Sequence, residues 1–197
     1  MDKKELELKI ESLEKIEKKN PLLEQYETPA NIVADIIFIA IDDIKGKVVA
    51  DLGCGNGSFS LGAYLIGAKE VHCVEIDEDV INIAKRNLKE MNVKFHNINV
   101  MDFNIKVDTV LMNPPFGYQL PGADRYFIMK ALEISNTIYT LHHKEAIKYI
   151  KKFIKNKGEI VLEKDYKFKI PYSFKFHEMN IKEIDAKLIK IKVKKYG

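Results

Sequence analysis

The sequence predicts an α/β fold with one mostly parallel, doubly wound sheet and helices on both faces. Three observations support this prediction. Apolar runs of strand length alternate with stretches of helical periodicity from residue 47 onward, and a glycine-rich turn connects the first strand to the next helix. Apolar residues also make up 46% of the 197 residues, which is enough for one core. In such folds ligands bind at the carboxyl ends of the strands.

The first 45 residues predict helices that pack on this sheet. Residues 2–19 place apolar side chains three to four positions apart, which indicates an amphipathic helix. A proline disfavours helix in the residue before it, so this helix should end at Asn20. Thr28 and Pro29 have the pattern of an N-cap followed by proline at the first helical position, and they predict a second helix through about residue 41.

The remaining elements follow in a regular order. Strands are expected at residues 47–52, 70–76, 93–98, 107–112 and 137–141. Helices are expected after the first strand through about residue 65, near 79–91, near 124–135 and at 144–155. Residues 159–165 and 184–192 predict two further strands that pair antiparallel. We expect a single structural domain, with a helical segment at residues 1–45 and the sheet at residues 46–197.

Composition excludes several classes of protein. The longest apolar run, residues 36–41, is too short to span a bilayer, and no secretory signal is recognisable, so a cytoplasmic protein is expected. Cys54 and Cys73 are the only cysteines, which excludes a disulfide scaffold and a four-thiolate zinc site. We expect both to be reduced and to pack as small side chains. Adjacent His142 and His143 point apart on regular structure, so no metal is expected.

The net charge of +3 is unevenly distributed along the chain. Residues 1–140 sum to −6, whereas residues 141–197 sum to +9. A basic segment favours binding to a polyanion such as a nucleic acid. Solvated lysine-rich faces give the same pattern, so charge alone leaves both interpretations open.

The glycine-rich turn indicates a nucleoside-binding site. Residues 51–57 read Asp-Leu-Gly-Cys-Gly-Asn-Gly, and glycines let the backbone approach a ligand that a Cβ would block. Glu75 ends the next strand, where a carboxylate can accept hydrogen bonds from both ribose hydroxyls. Ser58 stands where the dinucleotide fingerprint has its third glycine, and the turn instead resembles that of class I S-adenosylmethionine (SAM) methyltransferases. A tight strand–helix connection without a ligand is the alternative.

Asn113, Pro114, Pro115 and Phe116 follow the strand at 107–112 and indicate a site for an amine acceptor. Two prolines stiffen the turn and remove two backbone donors, so its carbonyls are free to accept. The side-chain oxygen of Asn113 and the carbonyl of Pro114 can bind both hydrogens of an exocyclic NH₂ and direct the nitrogen lone pair at a sulfonium methyl group. Phe116 offers a face on which a base can stack. A plain turn with Phe116 in the core is the alternative.

Together these motifs resemble the methyltransferase-like protein 5 family and its archaeal relatives. The resemblance runs from Asn20 to the end of the chain. It rests on residues 23–29 (LEQYETP), 51–55 (DLGCG), 76–79 (IDED), 112–117 (MNPPFG), 139–142 (YTLH) and 174–177 (FKFH). It implies a Rossmann-like class I SAM methyltransferase fold with a seven-stranded, mostly parallel sheet, in which residues 46–197 form the methyltransferase domain. It also implies methyl transfer to the N6 amine of an adenosine in RNA, small-subunit ribosomal RNA in particular.

The turn and the resemblance together assign roles to individual residues. The residues expected to contact SAM are Gln25, Thr28, Asp51, Gly53, Gly55, Asn56, Ser58, Glu75, Asn99 and Val100. The expected catalytic residues are Asn113, Pro114, Pro115 and Phe116. Glu75 and Asn99 both stand where aspartate is common in the family. Asn99 carries an amide instead of that carboxylate, and we expect this amide to contact an edge of the adenine.

Several alternatives stay open at this point. Guanine N2, DNA adenine and protein glutamine are other amine acceptors for the same motif, and a non-catalytic SAM- and RNA-binding assembly factor is a different class of function. The resemblance further implies a small zinc-ribbon activator protein that adds a strand at the sheet edge, expected at residues 93–98. His177 is expected to have either a substrate-contacting or a structural role.

Overall fold

The fold is a single seven-stranded sheet with helices on both faces, seen in a computed structural model. The structure describes residues 1–17, 20, 23–117, 122–173 and 179–195. The strands are β1 (Val48–Leu52), β2 (Glu70–Val74), β3 (Val93–His96), β4 (Thr109–Met112), β5 (Thr137–His143), β6 (Gly158–Ser173) and β7 (Met179–Val193). The helices are α1 (Lys3–Glu11), α2 (Ala30–Ile39), α3 (Ile41–Ile44), α4 (Ser58–Ile66), α5 (Glu78–Asn87), α6 (Ala123–Ile134) and α7 (Ile147–Ile154).

The strand order is β3-β2-β1-β4-β5-β7-β6. Strands β1 to β5 pair in parallel, and β7 lies antiparallel between β5 and β6. The direction of the chain across the sheet reverses between β1 and β4, so the carboxyl ends of these two strands flank a crevice of the kind that binds ligands in doubly wound folds. The predicted parallel sheet, its antiparallel last pair and the edge position of residues 93–96 are all confirmed.

Alternating side chains of each strand enter two separate cores. In β1, Val49 packs among α1, α2 and α4, whereas Ala50 and Leu52 pack against α6 and α7 on the opposite face. Leu6 and Ile10 of α1 are buried in the first of these cores. Within the described ranges, no helix is both long enough and apolar enough to cross a bilayer.

The first helix is shorter than the periodicity predicts. Helix α1 begins with a capping box between Asp2 and Glu5 and ends at Glu11, although the apolar spacing continues through Ile16. Beyond Glu11 the backbone bonds to other segments: the N–H of Glu14 donates to Asn87 Oδ1 at 2.9 Å, and that of Ile16 donates to Glu27 Oε1 at 2.7 Å. The expected stop at Asn20 is therefore wrong, because tertiary hydrogen bonds replace the last turns of the helix.

The C-terminal hairpin is longer than the sequence predicts. Strand β6 has 16 residues and β7 has 15, paired antiparallel with one irregularity between Ile160 and Leu162. Phe168 and Ile184, beyond or at the ends of the expected strands, are buried in the first core. The expected helix at 144–155 is divided into a 3₁₀ turn at Lys144–Ala146 and α7.

Candidate active site

A cavity of about 380 Å³ opens at the carboxyl ends of β1, β2 and β4. Its walls are the N-terminal segment, the turn after β1, the end of β2, the residues after β3 and β4, and the first turn of α6. The predicted site residues that line it are Gln25, Thr28, Gly53, Gly55, Asn56, Ser58, Glu75, Asn99, Val100, Asn113 and Pro115. Asp51, Pro114 and Phe116 lie outside this lining.

The glycine-rich turn is held against β2 by its backbone. The N–H groups of Gly53 and Cys54 both donate to the carbonyl of Val74, at 2.8 and 2.9 Å. Gly57 adopts a left-handed φ of +89° as the N-cap of α4, and a Cβ on it would lie 2.9 Å from Leu88 Cδ1. The left-handed conformation is the main reason for glycine at position 57, since the Leu88 methyl group could shift.

Cys54 of this turn forms a disulfide with Cys73 of β2, with Cα atoms 5.5 Å apart. The expectation of two reduced, unlinked thiols is wrong. The parallel pairing of β1 with β2 sets Asp51 beside Cys73, so the turn that follows Leu52 lies over the same part of β2. The sequence separation of 19 residues carries no sign of this contact.

Asp51 is buried and faces α4 rather than the cavity. Its Oδ2 accepts hydrogen bonds from the N–H of Ser60 at 2.9 Å and from its hydroxyl at 2.8 Å. Burial, with a smaller contribution from the charge of Glu75, raises the pKa of Asp51 to about 7, although the hydrogen bonds from Ser60 act in the opposite direction. Asp51 thus joins β1 to the start of α4, and this position gives no support to the expected SAM contact.

Glu75, unlike Asp51, is a predicted carboxylate that lines the cavity. Its two oxygens accept hydrogen bonds from the N–H groups of Gly55 and Asp77, both at 3.1 Å. The pKa of Glu75 is raised, chiefly by burial. Next to it, Asp77 Oδ2 accepts from the side-chain amide of Gln25 at 2.8 Å, which connects the N-terminal segment to the end of β2.

Asn113 presents an unused acceptor beside the cavity. Its Nδ2 donates to Thr28 Oγ1 at 2.8 Å, which orients the amide. Its Oδ1 is buried and accepts no hydrogen bond within the described residues. A buried acceptor without a donor costs free energy, so this oxygen favours a ligand that brings an N–H or O–H group. The expected cap at Thr28 is wrong: the N-cap of α2 is Pro29, without a side-chain bond, and Thr28 stands one residue before it.

The residues after Asn113 are fixed from the opposite side. Pro114 is buried, and the half-buried Phe116 packs against the first core. The backbone N–H of Phe116 donates to Glu24 Oε2 at 2.7 Å. Glu24 also lines the cavity, although no role is assigned to it from the sequence beyond its place in the motif at residues 23–29.

Asn99 and Val100 lie on the wall that follows β3. Asn99 Oδ1 accepts from the N–H of Met101 at 2.9 Å and so caps the 3₁₀ turn Val100–Asp102. This bond fixes the orientation of the Asn99 amide at the cavity. Tyr126 and Phe127 of α6 line the facing wall, and neither is singled out by any sequence motif.

The histidines form no second site. In the part of the chain that the structure describes, no three His, Cys, Asp or Glu side chains converge on a point that could hold a metal ion. His142 is buried with Nε2 2.7 Å from Thr140 Oγ1, and burial lowers its pKa to about 3. His177 lies outside the described residues.

Comparisons with known proteins agree with this geometry. Residues 32–170 match the family described as "Methyltransferase small domain". The chain is 33% identical to the rRNA N(6)-adenosine-methyltransferase METTL5 of Danio rerio, over 96% of this chain and 98% of that protein. It is 35% identical to protein MJ0284 of Methanocaldococcus jannaschii, over 96% and 93% of the two chains. A crystal structure of PH1948 from Pyrococcus horikoshii superposes with a TM-score of 0.92 at 38% identity, covering 98% of both chains.

The chain belongs to the METTL5 family of methyltransferases. Its fold is the Rossmann-like methyltransferase fold, its activity is methyl transfer, and its cofactor is SAM, as the sequence motifs predict. The cavity of this METTL5-family protein fits that cofactor. Gly53 has a left-handed φ of +71°, which favours glycine, and a Cβ on it would crowd the Phe127 ring on the facing wall at 3.1 Å. The buried Glu75 carboxylate beside the turn is suited to the ribose hydroxyls.

Proposed function

We propose that this METTL5-family protein methylates the N6 amine of an adenosine in RNA, with small-subunit ribosomal RNA as the substrate. The observation that carries the proposal is the buried Oδ1 of Asn113, an acceptor beside the SAM cavity that has no donor among the described residues. An exocyclic amine would supply that donor. The similarity to the Danio rerio relative, which is an rRNA N(6)-adenosine-methyltransferase, supports the choice of adenosine in ribosomal RNA.

The residues of the Asn113–Phe116 turn position the target amine. SAM, when bound, supplies a methyl group on a positively charged sulfur. The Oδ1 of Asn113 and the carbonyl of Pro114 would accept hydrogen bonds from the two N–H groups of the amine and direct its lone pair at the methyl carbon. The N–C bond would form as the C–S bond breaks, and the sulfur would leave as a neutral thioether that keeps the electron pair of that bond. The methylated nitrogen then loses one proton to water, so no side chain has to act as a general base. Phe116 offers its ring to the target base, and Pro115 keeps the turn stiff.

Other residues of the cavity are assigned to SAM binding. Glu75 accepts from the ribose hydroxyls, and Gly53, Gly55, Asn56 and Ser58 surround the methionine end. Gln25 and Thr28 close the cavity from the N-terminal segment, and Asn99 and Val100 contact the adenine. Asp51 acts through Ser60, by fixing the start of α4.

The proposal is tested by methyl transfer from labelled SAM to unmodified small-subunit RNA, followed by nucleoside analysis. Wild-type protein should produce N6-methyladenosine. Asn113→Ala should lose at least about a hundredfold in rate while retaining SAM and RNA binding, because it removes one acceptor of the amine. The exposed Asn136, at the amino end of β5, provides the matched control Asn136→Ala, which should leave the rate unchanged. Methylated guanine, DNA or glutamine as the main product would contradict the proposed acceptor, and binding without any turnover would favour an assembly factor.

Three further assignments belong to this proposal. Residues 1–45 form a helical segment on the methyltransferase domain at residues 46–197, and the protein acts in the cytoplasm. A small zinc-ribbon activator adds a strand to β3, whose pairing within the described residues is with β2 alone, so that its other edge is available. Full activity of the isolated chain in the methylation assay would contradict the activator.

A further inference from the structure

Helix α6 separates the candidate active site from a second cavity. Ala123, Tyr126 and Phe127 line the SAM cavity. The other side of the helix borders a second cavity of about 320 Å³, which is lined from the same turns by Asp124, Arg125 and Ile128. Helix α7 forms its far wall, and we call this cavity the α6–α7 groove. The groove and the active site are therefore neighbouring cavities that share helix α6 as a wall.

The α6–α7 groove has an apolar floor and a basic, aromatic rim. Ile128 and Ile150 are buried at its base. Arg125, Tyr149 and Lys152 are exposed at its rim, with Tyr149 59% exposed. An exposed aromatic ring flanked by cations is the arrangement with which proteins stack single-stranded bases and bind the adjacent phosphates.

Among the described residues, neither of the cations that line this groove, Arg125 and Lys152, forms an ion pair. On α7, Lys151 pairs with Glu163 at 2.6 Å. Lys148 and Lys152 form no ion pair within the described residues, and Lys148 Nζ lies 4.9 Å from the Tyr149 ring centroid. Asp124 is the one carboxylate among the described residues that line the groove. Its pKa is raised, chiefly by burial, although the neighbouring Arg125 acts in the opposite direction.

We propose that the α6–α7 groove binds the nucleotide next to the target adenosine in the RNA substrate. Tyr149 stacks on its base, Arg125 and Lys152 bind its phosphate, and Asp124 accepts a hydrogen bond from the ribose 2′-hydroxyl that DNA lacks. The inference rests on the proposed function, because it takes RNA as the substrate. It gives the basic C-terminal part of the chain a specific place of contact with the RNA.

The test compares Tyr149→Ala and Lys152→Ala with a matched control, Lys69→Ala, at an exposed lysine that directly precedes β2, the neighbour of the edge strand β3. RNA binding to the full chain is measured by fluorescence anisotropy over a range of salt concentrations, alongside methylation kinetics. The variant Tyr149→Ala removes the stacking ring and should weaken RNA binding about tenfold. The variant Lys152→Ala removes a phosphate contact and should reduce the slope of log affinity against log salt concentration by about one. SAM affinity should stay at the wild-type value.

The outcomes separate this inference from the proposed function. Equal RNA affinity in the two groove variants and the Lys69→Ala control would overturn the groove, whether or not the wild type methylates RNA. Weakened RNA binding in the groove variants would support it, even if wild-type protein transferred no methyl group and the proposed function failed. No measurable binding of RNA by the wild type would overturn both.

A different observation, at Glu24, carries a second inference. Glu24 is buried at 6% exposure, and its φ of +46° is the left-handed conformation that residues other than glycine rarely adopt. Its Oε2 accepts the Phe116 N–H immediately after the two prolines of the proposed catalytic turn. Thr28 bonds to Asn113 at the start of the same turn. The segment that lines the SAM cavity thus contacts both ends of the turn.

We infer that Glu24 is a positioning residue, which fixes the Phe116 backbone and thereby the direction of the Asn113 and Pro114 acceptors. The variant Glu24→Gln keeps a side-chain oxygen that can accept the hydrogen bond from the Phe116 N–H, whereas Glu24→Ala removes this oxygen. The variant Glu24→Gly also removes it, and in addition relieves the strain of a left-handed backbone. We expect kcat to fall at least tenfold in the Ala and Gly variants, with SAM affinity within threefold of wild type, and to recover in Gln. Equal losses in Gln and Ala, or recovery in Gly, would overturn the inference.

Discussion

At the scale of single residues, Asp51 makes the stability of the protein depend on pH. Burial raises its folded-state pKa to about 7, whereas an aspartate in an unfolded chain has a pKa of about 3.9. Between these values the folded protein holds a proton that the unfolded chain has lost. The contribution of Asp51 to the free energy of unfolding therefore falls as the pH rises through this window.

Asp51→Asn removes this titration while keeping one oxygen that can accept from Ser60. Relative to wild type, we expect the variant to gain stability between pH 5 and pH 8, by up to about 3 kcal/mol, because one pKa unit corresponds to about 1.4 kcal/mol. Urea unfolding of both proteins at each pH measures the difference. The difference in unfolding free energy between variant and wild type at each pH cancels the contributions of other titrating groups. One of these is His142, whose lowered pKa changes stability with pH in the opposite direction. A difference that is the same at both pH values would contradict the assignment.

Residue types and spacing predicted much of the cavity, because a strand–turn–helix connection places residues 53–58 at the ligand-binding edge of the sheet. They did not predict the partners of individual side chains. Thr28 and Asn113 are 85 residues apart in the chain, and Glu24 and Phe116 are 92 apart. Such bonds depend on how distant segments meet, so a local pattern assigned Thr28 to a helix cap and left Glu24 without a role.

At the scale of elements, apolar periodicity located the strands of the parallel sheet, since strands buried on both faces give short apolar runs. It was less accurate at the ends of the chain. Helix α1 stops at Glu11 because Glu14 and Ile16 bond to α5 and to Glu27 instead. The sequence predicted strands shorter than β6 and β7 because lysines alternate with the buried residues of this hairpin. The same pattern is also consistent with a solvated segment.

At the scale of the whole molecule, acidic side chains of the N-terminal helices pair with lysines of the basic C-terminal hairpin. Asp35 of α2 accepts from Lys164 and Tyr166 of β6 and from Lys3 of α1, and these bonds lower its pKa to about 2 against the effect of burial. Asp43 of α3 pairs with lysines of β7. Three lysines of the basic hairpin, Lys164, Lys190 and Lys192, are therefore paired with carboxylates of the N-terminal helices.

The Cys54–Cys73 disulfide acts on the stability of the whole chain through its unfolded state. It joins residues 19 apart, and a closed loop of this size contributes about 3 kcal/mol by restricting the unfolded chain. In the folded state the turn is also held by the hydrogen bonds of Gly53 and Cys54 to Val74, which do not involve the sulfur atoms. Global stability should therefore depend on the disulfide much more than the shape of the SAM cavity does.

We accordingly expect the double variant Cys54→Ala, Cys73→Ala to lose about 3 kcal/mol of unfolding free energy and to bind SAM within threefold of wild type. Denaturant unfolding with and without dithiothreitol measures the first quantity, and calorimetric titration with SAM measures the second. Reductant should lower the stability of wild type toward that of the double variant and leave the variant unchanged. If wild type unfolds at the same denaturant concentration with and without reductant, the disulfide does not restrict the chain. If the double variant loses SAM binding while it remains folded, the sulfur bridge rather than the backbone bonds to Val74 holds the turn in place.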